Sequence, residues 1–150
     1  MANPQRPIAA FRARLLESVA LTAFVNLLPD GSVDPQGGRI YPRHIVDVRE
    51  PVFPCITLFM GDGNQAVWAP RTFNPAHMLV QFYSTRDVQD CFDMYELASP
   101  LLHGQKNALS TAELCVHEVR EVWANSGLYV KESGTWQLSA RYLFRASIID

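Results

Sequence analysis

The residues most able to do chemistry are three cysteines and four histidines, scattered along a chain of 150 residues. Cys115 and His117 are two residues apart in an alternating stretch. On a strand they would point the same way and could supply half of a metal site. No second pair accompanies them, and the sequence contains neither a Cys-x-x-Cys nor a His-Glu-x-x-His pattern. We therefore expect no metal site and no cofactor.

A cysteine–histidine nucleophile pair stays open as an alternative, because a sequence does not say which residues meet in space. All three cysteines (Cys55, Cys91 and Cys115) lie in apolar runs, where burial disfavours the thiolate that such catalysis needs. Their odd number and their surroundings predict reduced thiols in the core. The chain has no Gly-x-Ser-x-Gly motif, and the Gly-Asp-Gly-Asn stretch at 61–64 lacks the further ligands of a calcium or phosphate loop. We expect no catalytic residues and predict that the protein is not an enzyme.

Composition excludes several classes of partner. The net charge is −2, from 13 basic and 15 acidic residues, and no basic stripe occurs that would hold DNA or RNA. No apolar run reaches the roughly 18 to 20 residues that span a bilayer, and the N-terminus lacks the features of a signal peptide. Charged residues make up 19%, below the roughly 25% of typical domains. This shortage fits either a surface covered by other subunits or an unusually apolar monomer.

The longest regular pattern is an alternation near the C-terminus, which predicts a strand that lies within a sheet. Successive side chains on a strand point to opposite faces. One set here is apolar: Trp136, Leu138, Ala140, Tyr142, Phe144, Ala146 and Ile148. The other set is polar apart from Leu143: Gln137, Ser139, Arg141, Arg145 and Ser147. One face should be buried and the other should meet water or a partner, and the preceding turn and apolar run at 128–130 predict a hairpin.

The helices are predicted from apolar residues at helical spacing. One helix is expected over 8–28, and a second begins near Asp87, whose charge favours the positive end of the helix dipole. Pro100 either kinks the second helix or ends it near Ala98.

Strands are predicted over 55–60, 77–83 and 114–123, with a short extended piece at 39–42 and an irregular connection or protruding hairpin at 65–76. The order of elements predicts a single α+β domain over 1–150, of which residues 1–7 form a loose arm. We expect an antiparallel or mixed β-sheet with two α-helices packed on one face and a long C-terminal hairpin.

Two groups of residues are candidates for contacts with other proteins. Trp68, Arg71 and Phe73 lie in a proline-bounded loop, and exposed aromatic residues beside an arginine are typical anchors for protein partners. The alternative is that this loop folds back on its own core. Arg141 and Arg145 lie on the polar face of the terminal strand, where they could contact a neighbouring subunit.

Taken in order, these pieces resemble the tail terminator proteins of long-tailed bacteriophages and gene transfer agents, also called tail completion or head–tail joining proteins. The most specific mark is Gly38-Arg39-Ile40-Tyr41-Pro42, which is similar to the family's Gly-Arg-Ile-Tyr-Pro element after the first helix. Further marks are the strand introduced by Pro54, His103-Gly104, Gly127-Leu128-Tyr129 and Tyr142-x-Phe144-Arg145. The chain departs from the family pattern in a longer loop at 61–76 and in Pro100.

The resemblance implies a structural protein of the virion tail, at the head–tail interface, assembled in the cytoplasm of the host bacterium. Such proteins form a ring of six copies on the last ring of tail-tube protein, end its polymerisation and present a surface to the head connector, or neck, protein. A heterologous interface that closes into a ring leaves no end for growth. DNA would pass the lumen without specific binding, which suits the weak net charge. Neighbouring subunits would satisfy the sheet edges, which suits a long final strand.

Three alternatives stay open beside this interpretation. Another connector or head-completion protein of the same particle would bind the portal rather than the tube. A small cysteine-dependent hydrolase would show one cysteine that reacts much faster than the others. A cellular domain that binds a small ligand would be a monomer with one deep apolar pocket.

Overall fold

The computed structural model describes residues 5–26, 32, 39–60 and 72–149, without the side chains of residues 73–75. Within these ranges the chain forms three α-helices and six strands, so the predicted α+β class is confirmed. The helices are α1 (Gln5–Leu16), α2 (Val19–Val25) and α3 (Val88–Leu102). The strands are β1 (Ile40–Tyr41), β2 (Cys55–Met60), β3 (Thr72–Ser84), β4 (Leu114–Ala124), β5 (Leu128–Val130) and β6 (Thr135–Ile148).

The sheet is mixed and mostly antiparallel, in the order β1-β2-β3-β6-β4, with β5 also paired to β6. Only the β1–β2 pair is parallel among the described strands. The C-terminal strand β6 is therefore central, with β3 on one side and β4 and β5 on the other. The sheet edges that the resemblance assigns to neighbouring subunits are therefore not those of β6, which is paired on both sides within the chain.

The alternation along β6 is confirmed. Leu138, Ala140, Tyr142, Phe144 and Ala146 are buried beneath the helices, whereas Arg141 and Arg145 are exposed on the opposite face. The ring of Phe144 meets the ring of Phe11 from α1 edge-on, with 5.3 Å between their centroids. Such burial of apolar area against both helices and sheet is the main stabilising contribution to this fold.

The single helix predicted over 8–28 is two helices. α1 ends at Leu16, and Ser18 begins α2 as its N-cap, accepting a hydrogen bond on its Oγ from the Leu21 amide at 3.1 Å. Because Leu15 before the break and Leu21 after it are both buried, the apolar periodicity runs across the break and hides it. A serine that caps a helix competes with the helix backbone, which is why the chain turns here. Residues 27 and 28 lie outside the described ranges.

Other element boundaries also differ from their predictions. α1 begins at Gln5, so residues 5–7 of the predicted loose arm are helical. α3 continues through Pro100 to Leu102, where buried Ala98 and Leu102 pack into the core, so the helix does not end near Ala98. Strand β3 begins at Thr72, so the last part of the connection predicted at 65–76 is strand paired with β6.

The outer edge of β4 is covered by the linker that follows α3. The amides of Gly104 and Asn107 donate to the carbonyls of Val119 and Val116 at 2.8 and 3.0 Å, and the Val119 amide donates to Gln105 at 3.0 Å. An uncovered edge strand is a template for pairing with another chain. This part of β4 is protected from such pairing.

A carboxylate at the inner side of β4 fastens α3 to the sheet. Glu121 accepts hydrogen bonds from the hydroxyls of Tyr95 and Ser99 of α3, at 2.6 and 2.9 Å, and from Tyr142 of β6 at 3.1 Å. Burial raises the pKa of both tyrosines, and Glu121 contributes to the increase. The phenols therefore stay protonated donors at neutral pH, and they hold the helix in one position over the sheet.

The Gly-Arg-Ile-Tyr-Pro element has a defined place in this fold from Arg39 onward. Arg39 is 4% exposed, and its Nη1 donates to the carbonyl of Val25 at the end of α2, at 3.3 Å. Its own carbonyl accepts from the Ile56 amide at 2.9 Å, next to the pairing of Ile40 with Ile56. A charged residue is buried only where it is paired or hydrogen-bonded, so this arginine ties α2 to the start of the sheet.

The backbone at position 127 requires a glycine. Gly127 is the first residue of the Gly127-Leu128-Tyr129 stretch that resembles the family. Its φ is +92°, and a Cβ built on it would lie 2.7 Å from Cγ2 of Val88 in α3. Any other residue would be strained and would push against the helix.

Candidate functional site

The two faces of the sheet are covered unequally. The helices pack on the face that carries Leu138, Tyr142 and Phe144. On the other face, the loop at 42–54 covers the β2 side. The ring centroids of His44 and Phe59 are 4.7 Å apart there, and those of Phe53 and Tyr83 are 6.4 Å apart. Over β3, β6 and β4, no helix lies on this second face among the described residues.

This uncovered area is here called the basic–aromatic patch, and its members are Leu79, Glu118, Arg120, Trp123, Arg141, Leu143 and Arg145. The strand register brings them together: Leu79 and Trp123 flank Arg141 on either side, Arg120 lies opposite Leu143, and Glu118 lies opposite Arg145. Glu118, Arg120, Leu143 and Arg145 line a shallow depression of about 200 Å³. Large apolar and cationic groups thus share one flat surface.

Trp123 is the most conspicuous side chain of the patch, because 48% of it is exposed. The guanidinium carbon of Arg141 lies 6.0 Å from the centre of its ring, which is within the range of a cation–π contact. Arg145 donates to Glu118 at 3.2 Å, an exposed ion pair of small energetic value. Arg120 is exposed, and no ion pair to it occurs within the described ranges.

His77 lies beside the patch, opposite Leu143 on β6. Its pKa is lowered by burial and, to a smaller extent, by the positive charge of Arg141. Its Nδ1 is buried and has no hydrogen-bond partner among the described residues. With its pKa lowered, this imidazole is mostly uncharged at neutral pH. The border of the patch next to Leu79 and Leu143 is therefore less polar than a histidine in the sequence suggests.

The predicted contact residues fall into two groups. Arg141 and Arg145 lie on the patch, both exposed, as the alternation predicted for their face. Trp68 and Arg71 lie outside the described residues; Phe73 belongs to β3 and pairs with Ala146, but its side chain is outside the description. Their interface roles stay predictions.

Trp123 and Arg120 also belong to the patch, although the sequence pattern did not predict them as contact residues. Simple alternation along β4 places Trp123 on the same side as buried Val119. The register shift between Glu121 and Trp123 changes this assignment for Trp123, and the shift between Val116 and Glu118 changes the assignment that buried Val116 predicts for Arg120. Each such bulge adds a residue to one strand and reverses the side to which later side chains point.

The three cysteines differ, contrary to the prediction that all are core thiols. Cys55 and Cys91 are buried, and burial raises the pKa of each thiol to about 12. Cys115 is partly exposed on the uncovered face; its Sγ lies 3.7 Å from Nδ1 of His117, whose Nε2 lies 2.9 Å from Oγ of Ser147. The cysteine–histidine proximity is confirmed. No group of three potential metal-ligating residues occurs within the described ranges.

This difference predicts selective thiol chemistry. Because the thiolate is the reacting species and two thiols are both buried and hard to ionise, Cys115 should react first. We expect the folded protein at pH 8 to label at one cysteine with a thiol reagent, and at all three only after unfolding. Mass spectrometry of peptides after timed iodoacetamide labelling measures this. Labelling of Cys55 or Cys91 at a rate within tenfold of that of Cys115 would contradict it.

A second surface feature is an apolar groove at one end of the sheet. It has a volume of about 530 Å³ and lies between the loop at 42–54 and the β5–β6 hairpin, with Val46, Phe53, Tyr83 and Val130 in its walls. Val46 is 78% exposed at its rim. Grooves of this size and polarity can accept small ligands, so the ligand-binding alternative has a specific location.

Comparisons with known proteins give no family assignment: no family model matches the chain, and no curated protein matches it. None of the described helices is long and apolar enough to cross a membrane.

Proposed function

We propose that this chain is a structural protein of the tail terminator kind: copies of it form a six-membered ring on the end of a phage tail tube. The ring ends tube polymerisation and offers the surface to which the head connector, or neck, protein joins. The protein acts in the virion tail, after assembly in the host cytoplasm, through subunit–subunit and ring–tube contacts and without a catalytic step. DNA passes through its lumen without specific binding.

The observation that carries this proposal is the basic–aromatic patch. Tryptophan and arginine are the residues that most often dominate protein–protein binding energy, and here they share a face over which none of the described helices lies. Lysine, which interfaces tend to exclude, is absent from the patch, whose cations are all arginine; its one acidic member, Glu118, pairs with Arg145. Such a surface is better suited to a protein partner than to a small substrate.

The Gly-Arg-Ile-Tyr-Pro resemblance adds support of a different kind. From Arg39 onward the element contributes to the fold rather than to an exposed site, since Arg39 and Ile40 are buried. Its residue types suit a position at which a helix end and a sheet are tied together. The resemblance therefore bears on the architecture, and the patch bears on the role.

The mass of the native assembly tests the proposed number of subunits in the ring. We expect a six-subunit species, either in solution at high protein concentration or only in the presence of purified tail tubes. Native mass spectrometry across a wide concentration range, with electron microscopy of tubes incubated with the protein, would detect it. Tubes capped by the protein should also stop growing when tube subunits are added.

A strict monomer that ignores tubes would contradict the proposal. The apolar groove at the β5–β6 hairpin would then favour the second candidate function, binding of a small apolar ligand. Binding to the portal instead of the tube would favour the connector or head-completion role.

A further inference from the structure

The outer face of α3 carries a charge opposite to that of the basic–aromatic patch. Gln89, Asp93, Glu96 and Pro100 recur at four, three and four residues, which places them in one stripe along the helix. Asp93 accepts a hydrogen bond from Gln89 at 2.9 Å, and Glu96 is exposed. Within the described ranges neither carboxylate forms an ion pair. We call these four residues, Gln89, Asp93, Glu96 and Pro100, the acidic stripe.

A shallow depression lies at the C-terminal half of the acidic stripe. Its volume is about 300 Å³, and it is lined by Tyr95, Glu96, Ser99, Pro100 and His103. Apart from Glu96, its walls consist mainly of ring carbons and aliphatic carbons. Such apolar walls can accept an aromatic side chain. One copy of the chain thus carries an exposed tryptophan on its sheet and a shallow, mostly apolar depression on its helix.

The dimensions of the two surfaces agree. A helix is about 10 Å in diameter with its side chains, and three adjacent strands present a face about 10 Å wide between their outer axes. α3 has 15 residues and is about 22 Å long. Asp93 and Glu96 are one turn apart, with Cβ atoms about 5–6 Å apart, while Arg120 is diagonal to Arg141 across β4 and β6, at about 7–8 Å.

The register of the strands connects these features. Trp123 lies opposite Arg141 on the neighbouring strand, and Glu96 is a wall of the depression. If Trp123 of one copy enters the depression of another, Arg141 comes next to Glu96 and Arg120 comes toward Asp93. A single relative position of the two copies therefore makes both the aromatic contact and the charge contacts.

We propose that the acidic stripe of α3 in one copy packs on the basic–aromatic patch of the next copy, with Trp123 in the depression. This inference rests on the proposed ring and names the surfaces that build it. The two surfaces are different, so the contact is heterologous: each copy offers one stripe and one patch, and repetition closes a ring. The opposite charges set the orientation of the contact, while the buried tryptophan supplies most of its energy.

Charge reversal tests the pairing. We expect Asp93→Lys/Glu96→Lys to remain monomeric, at least tenfold below wild type in ring fraction, because its stripe and patch are both positive. We expect the same of Arg120→Glu/Arg141→Glu, whose stripe and patch are both negative. An equimolar mixture of the two variants should recover rings in which they alternate, because each then meets an opposite surface. Native mass spectrometry under conditions in which wild type forms rings distinguishes the mixed species by mass.

Controls with the same net charge change come from the loop at 42–54. Asp47→Lys/Glu50→Lys and Arg43→Glu/Arg49→Glu alter exposed residues that belong to neither the patch nor the stripe, and both should form rings as wild type does. Circular dichroism melting confirms that each variant is folded. Trp123→Ala, which leaves every charge in place, should raise the concentration needed for assembly at least tenfold.

The outcomes separate this inference from the proposed function. Wild type that forms no ring, alone or on tubes, removes both. Wild-type rings together with reversal variants that assemble equally well would overturn the pairing and leave the ring intact. Variants that are monomeric alone and in mixture would also overturn it, since the surfaces would not face each other. Variants that form rings yet fail to cap tubes would assign the patch to the tube protein instead.

Discussion

Raising the pH from 8 to 11 under reducing conditions is expected to lower the free energy of unfolding by about 5 kcal/mol. Burial raises the pKa of Cys55 and Cys91 from 9.0 to about 12. A group whose pKa is higher in the folded state gives its full stabilising contribution below the unfolded pKa and loses it as the pH rises toward the folded pKa. Between pH 9 and 12 the contribution of each thiol to the free energy of unfolding therefore falls by about 1.4 kcal/mol per pH unit.

Urea unfolding at intervals of half a pH unit measures this loss. Above pH 10 the slope should steepen, because burial also raises the pKa of Tyr83 and Tyr142. The variant Cys55→Ala/Cys91→Ala provides the comparison: it is less stable at pH 8, since two buried side chains are shortened, but its stability should vary little between pH 8 and 9.5. Equal slopes for both proteins over that interval would show that the thiols are not the cause.

Replacing Glu121 by alanine is expected to destabilise the fold by about 2–4 kcal/mol. The change removes the acceptor shared by the hydroxyls of Tyr95, Ser99 and Tyr142. Tyr142 is fully buried, so its hydroxyl cannot turn to water. A buried donor without a partner costs about 1–3 kcal/mol, and α3 loses its polar attachment to the sheet. Chemical unfolding at neutral pH measures the difference.

Glu118 offers a matched control for Glu121, because it lies on the same strand and faces the other side. It is exposed and pairs only with Arg145 among the described residues, so Glu118→Ala should cost less than about 1 kcal/mol. Glu121→Gln, which keeps one oxygen acceptor, should fall between the two alanine variants. Similar losses for Glu118→Ala and Glu121→Ala would contradict the assigned role of the hydroxyl cluster.

Glu121 also matters for the proposed assembly, because Tyr95 and Ser99 belong both to its cluster and to the depression of α3. The same hydrogen bonds that hold the helix to the sheet thus fix two walls of the site for Trp123. A partner site is more effective when its walls are rigid before binding, since less conformational entropy is lost. In this chain the stability of the fold and the shape of the proposed interface share residues.

The sequence was sufficient for the fold class, the long terminal strand and the two faces of β6. Alternation over 136–148 is a local property: each side chain follows from the backbone dihedrals of its own strand. The outward position of Arg141 and Arg145 could be predicted for that reason. The strands β2 and β4 were located closely on the same basis.

The tertiary structure alone decided which residues join those arginines. Trp123 reaches their face because the bulge between Glu121 and Trp123 reverses the alternation that runs from buried Val119. Bulges arise from pairing with another strand, which no local pattern records. The break at Ser18 was hidden because packing on both sides kept the apolar period intact. Cys115 and Cys91 both lie in apolar runs, yet only contacts between distant elements bury one thiol and leave the other at the surface. Local periodicity determined the faces of this protein, and long-range pairing determined what each face presents.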